Sequence, residues 1–162
     1  VLAARGKSCI SHMIALVATL CADGALFHAP YTQREAADEA KMRFASAQGD
    51  TLTTISVFAA YDGAAARSRT DHRAARRWCE AHFLNWRTLE AAALIRVQLQ
   101  QAVHKLDGIR AASQPGSTVS AAGCTPAAPP LGTLGADASR ELRRCLSSAF
   151  FMQCALRQPS GE

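Results

Sequence analysis

The sequence predicts an all-α protein: a helical bundle of about six helices, broken by a disordered Ala/Pro/Gly-rich insert. Three observations predict it. Hydrophobic residues fill 49% of the 162 positions but aromatics only 6%, and much of the apolar fraction is Ala, a strong helix former that adds little buried area per residue. Apolar residues recur at helical spacing in several segments. Gly, Pro, Ser and Thr gather in one late stretch, where Pro129-Pro130 excludes a regular element. The length suits one ordinary domain, able to bury roughly two-thirds of its unfolded surface.

The first helix is read over residues 9–21, where Ile10, Met13, Ile14, Val17, Leu20 and Cys21 share a face and Asp23-Gly24 ends the run. Phe27, Pro30 and Tyr31 form an irregular connection. Thr32 and Glu35 have capping-box spacing and open a second helix bearing Ala36, Ala40 and Phe44, which stops by Gly49. The next segment, TLTTISVFAAY, is β-branched enough for a strand. Asp50 as a cap and the shared face of Leu52, Ile55 and Ala59 decide for a helix, closed by Asp62-Gly63. Asp71 caps a helix through Trp78 and Phe83. After a short link at Asn85, a further helix starts near Thr88 and reaches Leu106, with an apolar stripe of Ile95, Leu99, Ala102, Val103 and Leu106. Residues 107–137 are the insert. Asp137 or Ser139 restarts order, and Leu142, Cys145, Leu146, Ala149, Phe150 and Cys154 lie on one helical face before Pro159.

The net charge is +5, and it is localised. Nine basic and four acidic residues lie between Arg67 and Arg110, so this stretch carries the whole surplus. Such a field suits a polyanion such as nucleic acid, or else it is a solvated face. Arg67, Arg69, Arg73, Arg76 and Arg77 form its basic patch. The six cysteines show no C-x-x-C pair, and the five histidines no ligand spacing, so free packed thiols are expected and no metal site. No nucleophile motif or phosphate-binding Gly loop is present, and Glu80 and His82 do not make a catalytic pair, so no catalytic residue is assigned. The apolar run at 10–20 is too short and polar to span a bilayer, and a soluble intracellular protein, nuclear or cytoplasmic, with no membrane partner is expected.

The binding candidates cluster around the motif WCEAHFLNWRTLEAAALIRVQL, residues 78–99. Trp78 and Phe83 suit core packing. Trp86 suits packing or stacking on an unpaired base. Asn85 can cap the following helix, whose free N–H groups also attract phosphate. Arg87 suits phosphate or an ion pair with Glu90. Arg96 interrupts an apolar surface, and either pairs with a carboxylate between helices or points outward.

This motif resembles the helicase-associated (ratchet) region of DEAH-box/RHA RNA helicases, in which Trp-Cys precedes a Phe, an Asn and a basic residue, and then Leu, Ala, an Arg and Gln-Leu. Residues 9–30, CISHMIALVATLCADGALFHAP, resemble that region's first helix and its exit. Ala37-Asp38, Phe44 and GDTLTTISVFAAY resemble its central segments, and LRRCLSSAFFMQCALRQPSGE its passage into an OB-like domain. The likeness covers about residues 1–106 and 138–162. Ser11-His12 replace an acidic pair, and Ala149 replaces a Gly.

The resemblance implies residues 1–106 as an N-terminally truncated helicase-associated domain, 107–137 as an insert, and 138–162 as a final helix leading into a truncated OB-like domain. It implies a fragment of an ATP-dependent RNA helicase moving 3′ to 5′, with ATP and Mg2+ held by RecA-like lobes outside this chain and no cofactor within it. Asn85, Trp86, Arg87 and Arg96 would then face single-stranded RNA. Partners would be that RNA, the RecA-like and OB-like domains of the same protein, and helicase activator proteins. The chain alone would be inactive as an ATPase. A helical module that docks helicase cofactors without touching RNA is the alternative.

Overall fold

A computed structural model of the chain describes residues 1, 4, 8–67, 72–112, 131–150 and 152, without the side chains of residues 72 and 110–112. Among them are six α-helices: α1 (Ile10–Cys21), α2 (Arg34–Met42), α3 (Asp50–Arg67), α4 (His72–Ala81), α5 (Trp86–Ala112) and α6 (Ala136–Ala149). A 3-10 turn, Tyr31–Gln33, leads into α2. No strand occurs among the described residues, and the all-α expectation holds.

The architecture follows from which faces are apolar. α1 offers Met13, Ile14, Ala15, Leu16 and Ala18, all buried. It packs most extensively on α5 and next on α3, while α4 covers α3 and α6 closes against α1. Leu16, Ile55, Val57, Phe58, Leu89 and Leu142 are all but completely buried. Each such side chain contributes about 1.5–3 kcal/mol by leaving water.

α3 shows how a strand-like composition becomes helical. Thr54 Oγ donates to the Asp50 carbonyl at 2.9 Å and Ser56 Oγ to the Leu52 carbonyl at 3.0 Å. The hydroxyls bond one turn back, so the helix absorbs them. Gly49, at φ +121°, makes the turn before α3 in a region that favours glycine.

Several element boundaries differ from expectation. The Thr32/Glu35 capping box does not form: Thr32 lies in the 3-10 turn, and the residue before α2 is Gln33, without a side-chain cap. Ala37 and Ala40 are the buried residues of α2, Ala36 is exposed, and Phe44 lies beyond the helix end. Asp62-Gly63 does not end α3, which continues through Ala64–Ala66 because alanines propagate a helix and Asp62 is held by a partner on α5. α4 stops at Ala81, short of Phe83.

α5 starts two residues before Thr88 and runs to Ala112, into the stretch read as insert. Its apolar stripe is only partly covered. Ile95, Leu99 and Val103 are half-buried, whereas Ala102 and Leu106 are exposed. The buried line of α5 is instead Leu89, Ala92 and Arg96. In α6, Leu142 and Cys145 are buried, but Ala149 and Phe150 are exposed. Cys9, Cys79 and Cys145 are buried thiols outside any disulfide, while Cys21 is exposed. Asp71, Cys124, Pro129-Pro130, Cys154 and Pro159 lie outside the described residues.

Candidate nucleic-acid interface

The turn between α4 and α5 is built by chain reversal at Phe83. The Leu84 N–H donates to the Cys79 carbonyl at 2.9 Å, and the Phe83 N–H to the Glu80 carbonyl at 3.2 Å. This is a Schellman closure, with buried Cys79 and Leu84 as its apolar contact. The left-handed position that such a closure prefers to fill with Gly is here Phe83, at φ +54°. An L-residue in that conformation costs about 1–2 kcal/mol.

A second segment holds the turn in place. The His28 N–H donates to the Phe83 carbonyl at 2.8 Å, and the Asn85 N–H to the Leu26 carbonyl at 2.9 Å. Phe27 and Leu84 thereby form an isolated antiparallel bridge. Thr88 Oγ1 reaches the Asp23 carbonyl at 3.1 Å. Gly24, at φ +100°, lets the backbone pass, since a Cβ there would sit 3.1 Å from Thr88 Oγ1.

Asn85 Oδ1 accepts from the Arg87 and Thr88 backbone N–H groups at 3.2 and 3.4 Å. It is therefore a cap that occupies donors at the start of α5. Arg87 is exposed, and among the described residues no carboxylate pairs with it; of its two alternatives, the ion pair with Glu90 is not formed. Trp86 is half-buried against the core, with the Arg76 guanidinium 5.6 Å from its ring centre. Arg76 Nε also meets Glu80 Oε1 at 2.9 Å.

These groups border an open groove of about 480 Å3 lined by His28, Pro30, Gln33, Glu80, Phe83, Leu84, Asn85, Trp86 and Arg87. The sequence motif supplies six of those nine residues; His28, Pro30 and Gln33 come from the segment between α1 and α2, and the bridge at Phe27 brings them there. Glu80 sits in the motif too, yet nothing local marked it as a groove residue. Phe83, read as core, is half-buried at the groove wall instead. Trp78 does pack inward: it stacks on His82 at 4.4 Å and meets Phe44 edge-on at 6.4 Å.

Arg96 lies elsewhere. Only 4% exposed, it bonds Asp62 at 2.7 Å and lies over the Phe58 ring, away from this groove. Asp62 also accepts the Leu131 backbone N–H at 2.6 Å. Of the two alternatives for Arg96, the pair between helices is the one formed. In the basic patch, Arg67, Arg73, Arg76 and Arg77 are exposed, and Arg69 lies outside the described residues.

Burial, with a smaller contribution from Glu80, pushes the Cys79 thiol up to about 12. Burial likewise raises Tyr61 to about 12. Both stay protonated at neutral pH and serve as packing groups. No cluster of His, Cys, Asp or Glu among the described residues could hold a metal ion, and no helix among them is long and apolar enough to cross a membrane.

No protein-family model matches the chain. Curated proteins do. The chain is 29% identical over 95% of its length to the pre-mRNA-splicing factor ATP-dependent RNA helicase DEAH10 of Arabidopsis thaliana, of which it spans 19%. It is 26% identical over 95% of its length to the "Probable ATP-dependent RNA helicase DHX35 homolog" of Caenorhabditis elegans, spanning 17% of it. It is 24% identical over 94% of its length to the human ATP-dependent RNA helicase DHX33, again spanning 17%. The chain thus corresponds to under a fifth of the length of these relatives, and the resemblance carried by its motifs holds along nearly all of it.

Proposed function

We propose that this chain, a homologue of one stretch of DEAH-box ATP-dependent RNA helicases, is the accessory domain that walls their RNA channel. The observation that carries this reading is the start of α5. There an exposed Arg87, with no ion pair among the described residues, stands beside Trp86 on an open groove, within the stretch that holds the chain's whole charge surplus.

The chemistry is that of a single-strand groove. Arg87 offers forked donors to phosphate oxygens, and Trp86 offers aromatic surface to bases. The Asn85 side-chain amide remains a donor while its oxygen caps the helix. Arg67, Arg73, Arg76 and Arg77 add a longer-range field. Recognition of this kind depends little on sequence along most of the strand. ATP and Mg2+ would be held by RecA-like lobes outside the chain, which would step 3′ to 5′ while this domain retains the strand.

A second role is favoured by one observation. Leu94 and Val97, on the outer side of α5, are 65% and 41% exposed, and Ile109 further along is 63% exposed. These positions suit packing by the RecA-like or OB-like domains of the same helicase, or by activator proteins.

The test is single-stranded RNA binding by the 162-residue chain across a salt series. Arg87→Ala is expected to weaken binding and to flatten the logarithmic salt slope by about 0.7, the value for one lost phosphate contact. An unchanged affinity and slope would remove Arg87 from the interface.

A further inference from the structure

We infer that the groove at the α4–α5 corner is a nucleobase pocket that selects guanine through Glu80. This rests on the RNA-channel reading and adds to it a base class and a selecting residue. A groove that only tracked the backbone would need cations and stacking faces. This one also contains a carboxylate, which would repel phosphate.

Its volume, about 480 Å3, falls in the range of small-molecule sites, about 300–1,000 Å3. Phe83 and Trp86 supply aromatic surface, with Pro30 beside them. Phe83 is held in a left-handed conformation, where a glycine would be easier, so the turn carries strain while placing a ring at the groove wall. Arg76 ties the two parts together, lying over the Trp86 ring and bonding Glu80 Oε1 at 2.9 Å. A carboxylate has about four lone-pair positions, so Glu80 keeps acceptor capacity beyond the Arg76 bond.

Among the four RNA bases, guanine alone presents two adjacent N–H donors, N1–H and the 2-amino group, on its Watson–Crick edge. They match the two oxygens of one carboxylate. Adenine and cytosine offer one amino donor beside a ring-nitrogen acceptor that opposes the carboxylate. Uracil offers one N–H flanked by two carbonyl oxygens. With the base stacked on an aromatic face, Arg87 at the groove rim is placed for the adjoining phosphate.

Fluorescence anisotropy would use the full chain at low salt and dye-labelled ten-nucleotide uridine strands with a central G, A, C or U. The G strand is expected to bind about tenfold more tightly than the all-U strand, with A and C between, as a bidentate base contact provides. Glu80→Gln should bring all four strands within about twofold. Glu80 is exposed on α4 (57%), and an unchanged thermal melt would show that the variant folds. Equal binding of the four strands by the unaltered chain would overturn guanine selection while leaving the RNA-channel reading standing. A guanine preference that persists in Glu80→Gln would overturn the role of Glu80. No binding of any strand would overturn both readings.

Discussion

Asp62 ties three parts of the molecule with one carboxylate. It lies on α3, takes the Arg96 guanidinium from α5 at 2.7 Å, and accepts the Leu131 N–H at 2.6 Å. Arg96 is 4% exposed and Asp62 20% exposed, so the charge on Arg96 has little water to fall back on. Removing one partner of such a pair leaves the other uncompensated. Asp62→Asn is therefore expected to lower stability by about 3 kcal/mol, read as a shift of the urea midpoint at unchanged slope. The sequence showed an Arg interrupting an apolar surface and stopped there. Its partner is 34 residues away, at a position whose Asp-Gly dipeptide reads locally as a turn.

At the scale of the element, α5 is defined by its start. Asn85 caps it, Thr88 bonds the Asp23 carbonyl, and the bridge at Phe27 and Leu84 holds the preceding turn against the loop after α1. Asn85→Ala should cost about 1 kcal/mol through the lost cap. A fall in melting temperature with RNA affinity unchanged at a temperature where the variant is folded would make Asn85 structural only. A loss of affinity in the folded variant would give its amide a contact with RNA. The helix itself was legible from its periodicity, as was the Asn cap. Its extent was not: the helix runs past Gly108 to Ala112, and its covered side turns toward Leu89, Ala92 and Arg96, because α1 packs on α5 and Asp62 of α3 takes the Arg96 guanidinium. The failed capping box before α2 has a related cause. A 3-10 turn takes up Thr32, and capping chemistry read from spacing assumes that the helix begins where the spacing says.

At the scale of the whole molecule, buried thiol and phenol groups tie stability to alkaline pH. Cys79 rises from 9.0 to about 12 and Tyr61 from 10.0 to about 12, chiefly through burial. In the unfolded chain these groups lose their protons at lower pH than in the folded one. The stability they contribute is thus complete below about pH 9 and is lost as pH rises toward 12. Thermal melts from pH 8 to 11 should show a steady fall in midpoint, and Cys79→Ala should make that fall shallower. An equal slope in the variant would assign the alkaline loss to other groups.

The sequence by itself determined that the protein is helical, where its charge lies, and which helicases it resembles. Apolar spacing, alanine content and motif order are local properties, and no partner is needed to express them. Only the tertiary structure decided what the marked residues do. It turned Arg96 inward, because Asp62 waits on α3, and left Arg87 exposed, with no ion pair to a carboxylate among the described residues. It moved Phe83 from the expected core to a groove wall, and brought His28, Pro30 and Gln33 from another loop to face it. Those outcomes depend on contacts between segments tens of residues apart, which no local pattern encodes.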